Sequence, residues 1–198
     1  MYVGRLRLNP SRLAVGWCAN PYRVHQRLKM AFDGDPRLLF RIEDEREGTQ
    51  IIVQATRAPK WDAAFADFLV LSGPPEHKPF APCLSEGRVY RFRLLANPTV
   101  KRNGRRLGLL REEDQRAWLA RKLADAGGEL VGCVASTHGL RRSEKNPHKD
   151  ASVQTHLAVL FDGALRVKDA GRLCRALETG IGAAKGYGFG LLSLAPIR

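Results

Sequence analysis

The sequence lacks the long apolar runs that cross membranes. Its longest apolar stretches, such as residues 68–71 and 158–161, fall far short of the about 20 residues that a spanning helix needs. The N-terminal residues MYVGRLRL are charged and alternate in polarity, so they do not form the apolar core of a signal peptide. We therefore predict a cytoplasmic protein with no membrane partner.

The sequence also lacks paired cysteines. The four cysteines are widely separated and include no C-x-x-C pair: Cys18, Cys83, Cys133 and Cys174. We predict reduced, mostly buried thiols. A zinc site built from Cys133, His138, His148 and His156 would have the spacing of no structural zinc site, so we predict no metal.

Acidic residues are few compared with basic ones. There are 33 lysines and arginines and 20 aspartates and glutamates, which gives a net charge of +13. A strongly basic chain indicates a polyanionic partner. Nucleic acid is the favoured partner, and an anionic membrane surface is the weaker alternative because no basic amphipathic helix is evident.

The first half of the chain alternates between strand and helix patterns. Residues 2–8 and the pair 38–42 and 51–54 are typical of strands, the pair forming a hairpin, while residues 20–32 and 61–69 have helical spacing. Residues 72–82 contain four prolines and a glycine, which indicates a linker or an edge segment.

The second half repeats this order of elements. Strands are predicted at residues 88–95, 130–137, 153–161 and 191–194, and helices at 111–126 and 169–179. The order βαββαβ is typical of the ferredoxin-like fold. We predict an α+β protein with two tandem ferredoxin-like domains, residues 1–84 and 85–198.

One cluster of titratable side chains stands out near the start of the first long helix. Asn20 is a favoured N-cap, followed by a proline at the first helical position. Tyr22, His25 and Lys29 then lie on one flank of an apolar stripe formed by Val24, Leu28, Ala31 and Phe32. The cluster is suited to moving protons beside a phosphate, or it is an ordinary boundary face.

The segment GIGAAKGYGFG, residues 180–190, is unusually rich in glycine. It is not a Walker loop, because Lys185 is followed by Gly186, and too few residues follow it for a dinucleotide-binding unit; we therefore predict no cofactor. Residues 185–189 match the first positions of the RNA-stacking strand of an RNA recognition motif. The glycines indicate either contact between the backbone and RNA or a tight turn with Tyr187 and Phe189 in the core.

Four segments together resemble one protein family. They are RLRLNPSR (5–12), NPYRVH (20–25), RFRLLANPTVKR (91–102) and the glycine-rich segment 180–190. In this order, along the whole chain, they resemble the CasE family, the repeat-processing endoribonucleases of type I-E CRISPR systems.

This resemblance implies a mechanism. His25 is the histidine of NPYRVH and would be catalytic, with Tyr22 beside it. The reaction would need no metal: the 2′-hydroxyl of the RNA attacks the adjacent phosphate and leaves a 2′,3′-cyclic phosphate and a 5′-hydroxyl. Which of His25 and Tyr22 is the acid and which the base stays open. Gln26 follows His25 where relatives can have a basic residue, so Arg27, Lys29 or a residue of the second domain would stabilise the transition state.

The resemblance also implies an RNA stem-loop of the CRISPR repeat and the other subunits of the type I-E Cascade complex as partners. A basic tip at residues 140–149 would contact the stem, and further cations would hold phosphates. The predicted RNA-binding residues are Arg91, Arg93, Lys101, Arg102, Arg105, Arg141, Arg142, Lys145, Lys149, Gly182, Lys185, Gly186, Gly188 and Gly190. The alternative is a non-catalytic subunit that binds the RNA hairpin.

Overall fold

The computed structural model describes residues 1–144 and 153–197, and the chain divides into two compact units. Unit 1 contains Met1–Ala81, Gly186–Gly188 and the described residues of Arg142–Gln154. Unit 2 contains Pro82–Arg141, Thr155–Lys185 and the described residues of Phe189–Arg198. The sequence-based domains 1–84 and 85–198 stay a prediction.

Unit 1 contains one four-stranded antiparallel sheet in the order β2-β3-β1-β4. Its elements are β1 (Tyr2–Arg7), α1 (Arg12–Cys18), α2 (Pro21–Lys29), β2 (Leu38–Glu45), β3 (Gly48–Ala55), α3 (Trp61–Phe65) and β4 (Glu76–Pro79). The core is a single apolar cluster in which Leu6, Leu28 and Phe40 are fully buried. With β1 in the centre of the sheet, this is the ferredoxin-like arrangement.

Unit 2 has the same topology, with a sheet in the order β10-β5-β9-β8. Its elements are β5 (Val89–Ala96), β6 (Thr99–Arg102), β7 (Arg105–Gly108), α4 (Glu112–Asp125), β8 (Gly128–Glu144), β9 (Val153–Val167), α5 (Ala170–Thr179) and β10 (Leu192–Pro196). The predicted fold class, two tandem ferredoxin-like folds, is confirmed. No helix in the described part of the chain is long and apolar enough to span a bilayer.

The sequence pattern explains several elements directly. In β5, Tyr90, Phe92 and Leu94 are buried while the two arginines between them are exposed, as period-two alternation requires. At the start of α5 the side chain of Asp169 accepts a hydrogen bond from the backbone N–H of Arg172 at 2.8 Å, which satisfies one of the free N–H groups of the first turn.

Other elements differ from the sequence-based expectation. Helix α1 was not predicted, because apolar residues lie on all its sides: Leu13 and Val15 are exposed while Ala14 and Trp17 are buried. The hairpin β6–β7 was also missed. Its two-residue turn is Asn-Gly, with φ of 48° and 76°, the strongest short hairpin signal.

Two boundaries are corrected as well. Helix α2 ends at Lys29 rather than at residue 32, because the next turn is closed by tighter hydrogen bonds from residue i to i−3. Helix α3 ends at Phe65, four residues earlier than expected. The proline-rich segment 72–82 contains the exposed edge strand β4, in keeping with the edge alternative.

Candidate active site

Helix α2 holds the three candidate catalytic side chains of unit 1. The side chain of Asn20 caps the helix by accepting a hydrogen bond from the N–H of Tyr22 at 3.2 Å, and its amide donates to the carbonyl oxygen of Glu144 at 3.3 Å. Tyr22, His25 and Lys29 are each half-buried beside the fully buried stripe of the helix. The predicted flank is therefore present, and the cap fixes its first turn.

The imidazole of His25 lies in a partly apolar setting. Its ring stacks on Phe40 with centroids 6.0 Å apart and planes at 19°. Nδ1 is buried, and no residue in the described part of the chain hydrogen-bonds to it. Burial lowers the pKa of His25 below its ordinary value, and the charge of Lys29 lowers that pKa further, while Asp35 opposes the shift. The ring is therefore neutral at pH 7.

Lys29 is paired with a carboxylate that sequence reasoning missed. Its Nζ lies 2.7 Å from Oδ1 of Asp35, and this hydrogen bond lowers the pKa of Asp35. Asp35 lies in an exposed turn just beyond α2. The pair places a positive charge, partly offset by the carboxylate, near His25. Both Lys29 and Asp35 therefore influence the pKa of the imidazole.

Part of the glycine-rich segment, Gly186–Gly188, packs against this cluster within unit 1. A Cβ added at Gly186 would lie 3.6 Å from Cδ2 and 3.7 Å from Nε2 of His25. A Cβ at Gly188 would lie 3.2 Å from the ring of Phe40. The backbone of the segment therefore approaches the imidazole closely, a convergence that the sequence did not reveal.

Tyr187 joins the site through this segment. Its ring stacks on Tyr22 with centroids 5.7 Å apart and planes at 30°. Burial, and then the neighbouring Tyr22, raise the pKa of Tyr187 above its ordinary value, so its phenol keeps its proton at neutral pH. The pair of phenols is a second feature that the sequence did not reveal; the signal was only an aromatic residue between two glycines.

The remainder of the segment makes a tight turn in unit 2. The N–H of Gly190 donates to the carbonyl of Leu95 at 2.8 Å, and the carbonyl of Gly190 accepts from Ile181 at 2.9 Å. Phe189 is fully buried. Four glycines have positive φ, namely Gly180, Gly182, Gly188 and Gly190. Close backbone packing thus accounts for much of the glycine pattern, and contact with RNA stays a prediction.

The candidate phosphate-binding cations of unit 2 lie on β5 and on the hairpin β6–β7. Arg91 and Arg93 are exposed, and Arg93 donates two hydrogen bonds to Asp162 at 2.8 and 3.3 Å. The exposed hairpin carries three predicted residues, Lys101, Arg102 and Arg105, together with Arg106. The hairpin therefore gathers four cations on two short strands.

Only part of the basic tip lies within the described residues. Arg141 is half-buried and Arg142 is exposed at the end of β8, while Lys145 and Lys149 lie outside the residues that the structure describes. The roles of all four residues in RNA binding stay predictions.

Cys18, Cys133 and Cys174 are half-buried rather than buried as predicted, and Cys83 is exposed. The three half-buried cysteines have the properties of unreactive thiols. Burial, and then Asp44, raise the pKa of Cys18 to about 12, and burial also raises the pKa values of Cys133 and Cys174. A thiolate nucleophile is therefore disfavoured at these three positions. Within residues 1–144 and 153–197, no three histidine, cysteine or acidic residues are grouped closely enough to hold a metal ion.

The sequence matches the family described as "CRISPR associated protein" over residues 1–196. It is 35% identical to the CRISPR-associated endoribonuclease Cse3 of Thermus thermophilus, covering 99% of this chain and all of that protein. It is 32% identical to the Cascade subunit CasE of Escherichia coli, covering 93% of this chain and 96% of that protein.

The fold is also similar to a solved structure. The structure of Thermus thermophilus Cse3 bound to an RNA that represents a pre-cleavage complex superposes with a TM-score of 0.84, at 34% identity and with 98% of each chain covered.

Proposed function

The chain belongs to the CasE family of CRISPR-associated proteins, and on this basis we propose that it is an endoribonuclease that cuts CRISPR precursor RNA within each repeat, at the base of the stem-loop. The relatives support the reaction class, since one is named an endoribonuclease. The basic surface supports an RNA substrate.

One observation carries the proposal: a neutral imidazole, two phenols and a lysine lie together beside the backbone of Gly186–Gly188. His25 has one buried ring nitrogen without a partner in the described chain, which leaves Nε2 to meet the substrate. An imidazole that is neutral at pH 7 is the form that accepts a proton.

The proposed reaction is an in-line transesterification. Nε2 of His25 takes the proton of the 2′-hydroxyl while the O2′–P bond forms. The P–O5′ bond breaks, and a phenol, Tyr22 or Tyr187, gives its proton to the leaving 5′-oxygen. Lys29 offsets the negative charge that develops on the phosphorane. The products are a 2′,3′-cyclic phosphate and a 5′-hydroxyl, and no metal takes part.

The product RNA stays bound. The cations of β5, the β6–β7 hairpin and the basic tip position the RNA through its phosphates. The stem is recognised through its backbone because side chains cannot enter the deep major groove of a continuous A-form helix. The bound product joins the other subunits of the Cascade complex in the cytoplasm. This proposal follows from the similarity to a Cascade subunit.

Analysis of the cleaved ends tests this function. Repeat RNA incubated with the protein should give one upstream fragment with a cyclic phosphate and one downstream fragment that polynucleotide kinase labels without prior phosphatase treatment. Downstream fragments that need phosphatase first would contradict 2′-hydroxyl attack. Tight binding with intact RNA would instead indicate the non-catalytic hairpin-binding subunit.

The pH dependence of cleavage tests the proton-accepting role of His25. Since the neutral imidazole is the active form, the rate should rise with pH through a pKa below the ordinary histidine value and then level off. Lys29→Ala removes a charge that lowers this pKa and leaves Asp35, which raises it. The rising limb should therefore move to higher pH, with a lower plateau because the transition state loses a cation.

Lys60→Ala is a matched control for this prediction. Lys60 forms a similar exposed ion pair with Asp33 at 2.5 Å, yet it is not among the groups that shift His25. Its removal should leave the pH profile of wild type. A rate that falls as pH rises above the pKa of His25 would show that the imidazole acts as the acid.

A further inference from the structure

Unit 2 contains a basic cavity that the proposed reaction does not use. It has a volume of about 630 Å³ and lies among the β6–β7 hairpin, helix α4 and the start of the glycine-rich segment. Five cations line it, Lys101, Arg106, Arg121, Lys122 and Lys185, and no acidic residue of the described chain does so. Arg121 and Lys122 come from α4 and belong to no predicted RNA contact.

The backbone at one wall of the cavity is arranged unusually. Gly182 has a φ of 82°, and Ala184 has a φ of 62° although it has a side chain. A positive φ is unfavourable for an L-residue with a side chain, and such strain is concentrated at ligand-binding segments. No described residue accepts a hydrogen bond from the N–H groups of Gly182, Ala183 or Ala184. These donors are available to an anion.

Apolar side chains also line the cavity, together with Thr99. Val100, Ala183 and the indole of Trp118 line the cavity, and Trp118 is held in place by stacking on Phe161 with centroids 6.4 Å apart. Free N–H groups and cations beside apolar walls match the phosphate and the base of a nucleotide. The volume suits one nucleotide and is too small for a duplex.

We propose that this cavity binds one nucleotide of the repeat RNA outside the stem, with its phosphate among the five cations and the N–H groups of residues 182–184. Unpaired bases can be splayed out from the chain, whereas bases in an A-form stem cannot. This inference rests on the proposed function, because it takes RNA as the ligand. It adds a site that recognises the single-stranded part of the substrate.

The test compares two RNAs with the full chain. One is the repeat hairpin with a single-stranded extension at each end, and the other is the same hairpin trimmed to its stem; both carry a 2′-deoxy sugar at the scissile nucleotide. The double variant Arg121→Ala/Lys122→Ala should bind the extended RNA about tenfold more weakly. The slope of log K against log salt should fall in magnitude by about 1.4, or about 0.7 for each lost contact to a single strand. The affinity of this double variant for the trimmed hairpin should equal that of wild type.

A charge-matched control separates the cavity from the net charge. Lys168→Ala/Arg175→Ala also removes two positive charges, and neither residue lines the cavity, so this variant should bind both RNAs as wild type does. The inference is overturned if Arg121→Ala/Lys122→Ala binds the extended RNA as tightly as wild type does, or if it loses the same affinity for both RNAs. It is also overturned if the control variant loses as much affinity for the extended RNA as Arg121→Ala/Lys122→Ala does.

Two further measurements separate related explanations. The first uses adenosine monophosphate, which could raise the melting temperature of wild type but not of Arg121→Ala/Lys122→Ala. If it does so while both RNAs bind this variant normally, the cavity serves a free nucleotide and the assignment to RNA is wrong.

Cleavage of an unmodified hairpin by wild type keeps the two proposals apart. It persists when only the cavity assignment fails, and it is absent when the proposed function fails.

Discussion

His25→Ala is expected to slow single-turnover cleavage of repeat RNA by about 10²–10⁴-fold, the usual contribution of a general acid or base. The imidazole is the proton acceptor of the proposed reaction, and alanine cannot replace it. RNA affinity should stay within about twofold of wild type, because the phosphate contacts lie elsewhere. The measurement is the cleavage rate at saturating enzyme, together with the dissociation constant for a 2′-deoxy substrate.

His156→Ala is a control of the same chemical kind. His156 is half-buried, its pKa is also lowered by burial, and its ring packs on Phe189 in unit 2. It has no role in the proposed reaction, so at saturating enzyme its variant should cleave at nearly the wild-type rate. Equal losses in the two histidine variants would indicate that His25 matters only for folding, which thermal denaturation of both variants would reveal.

Gly190→Ala is expected to destabilise the protein by about 2–4 kcal/mol. The φ of 88° at this position is unfavourable for alanine, and the new Cβ would lie 2.7 Å from the carbonyl oxygen of Ile181. That oxygen belongs to the backbone, so relief requires the hydrogen bonds on both sides of Gly190 to shift. We expect thermal denaturation to show a melting temperature lower by roughly 4–16 °C.

Gly186→Ala is the matched control in the same segment. Gly186 has no positive φ, and its added Cβ would meet the nearest His25 atom at 3.6 Å, which is ordinary van der Waals contact. Stability should therefore remain close to that of wild type. If Gly190→Ala melts at the same temperature as Gly186→Ala, the tight-turn explanation of the glycine pattern is wrong.

Local chemistry made part of the fold predictable from the sequence. The alternation of β5, the Asn20 cap of α2 and the Asp169 cap of α5 each depend on residues close together in the chain, and the structure contains all three. Helix α1 was missed because Leu13 and Val15 are exposed and hide the helical period. The Asn-Gly turn of β6–β7 was a readable signal that a run of cations obscured.

The candidate site was predictable only in part, for a related reason. Tyr22, His25 and Lys29 share one helix, so helical spacing alone places them together. The approach of Gly186 to His25, and of Tyr187 to Tyr22, joins residues far apart in the chain and follows from tertiary packing. The pairing of Lys29 with Asp35 depends on the path of the turn after α2, which no periodicity describes.

The central claim is that the 2′-hydroxyl attacks the phosphate with the help of His25. The most direct test measures the cleavage rate of repeat RNA in excess EDTA. One substrate has a ribose at the scissile nucleotide and the other has a 2′-deoxyribose there. We predict full activity on the ribose substrate, no cleavage of the deoxy substrate although it binds equally well, and a rate reduced by about 10²–10⁴-fold for His25→Ala on the ribose substrate. Cleavage of the deoxy substrate, or loss of ribose cleavage in EDTA, would contradict the proposed mechanism.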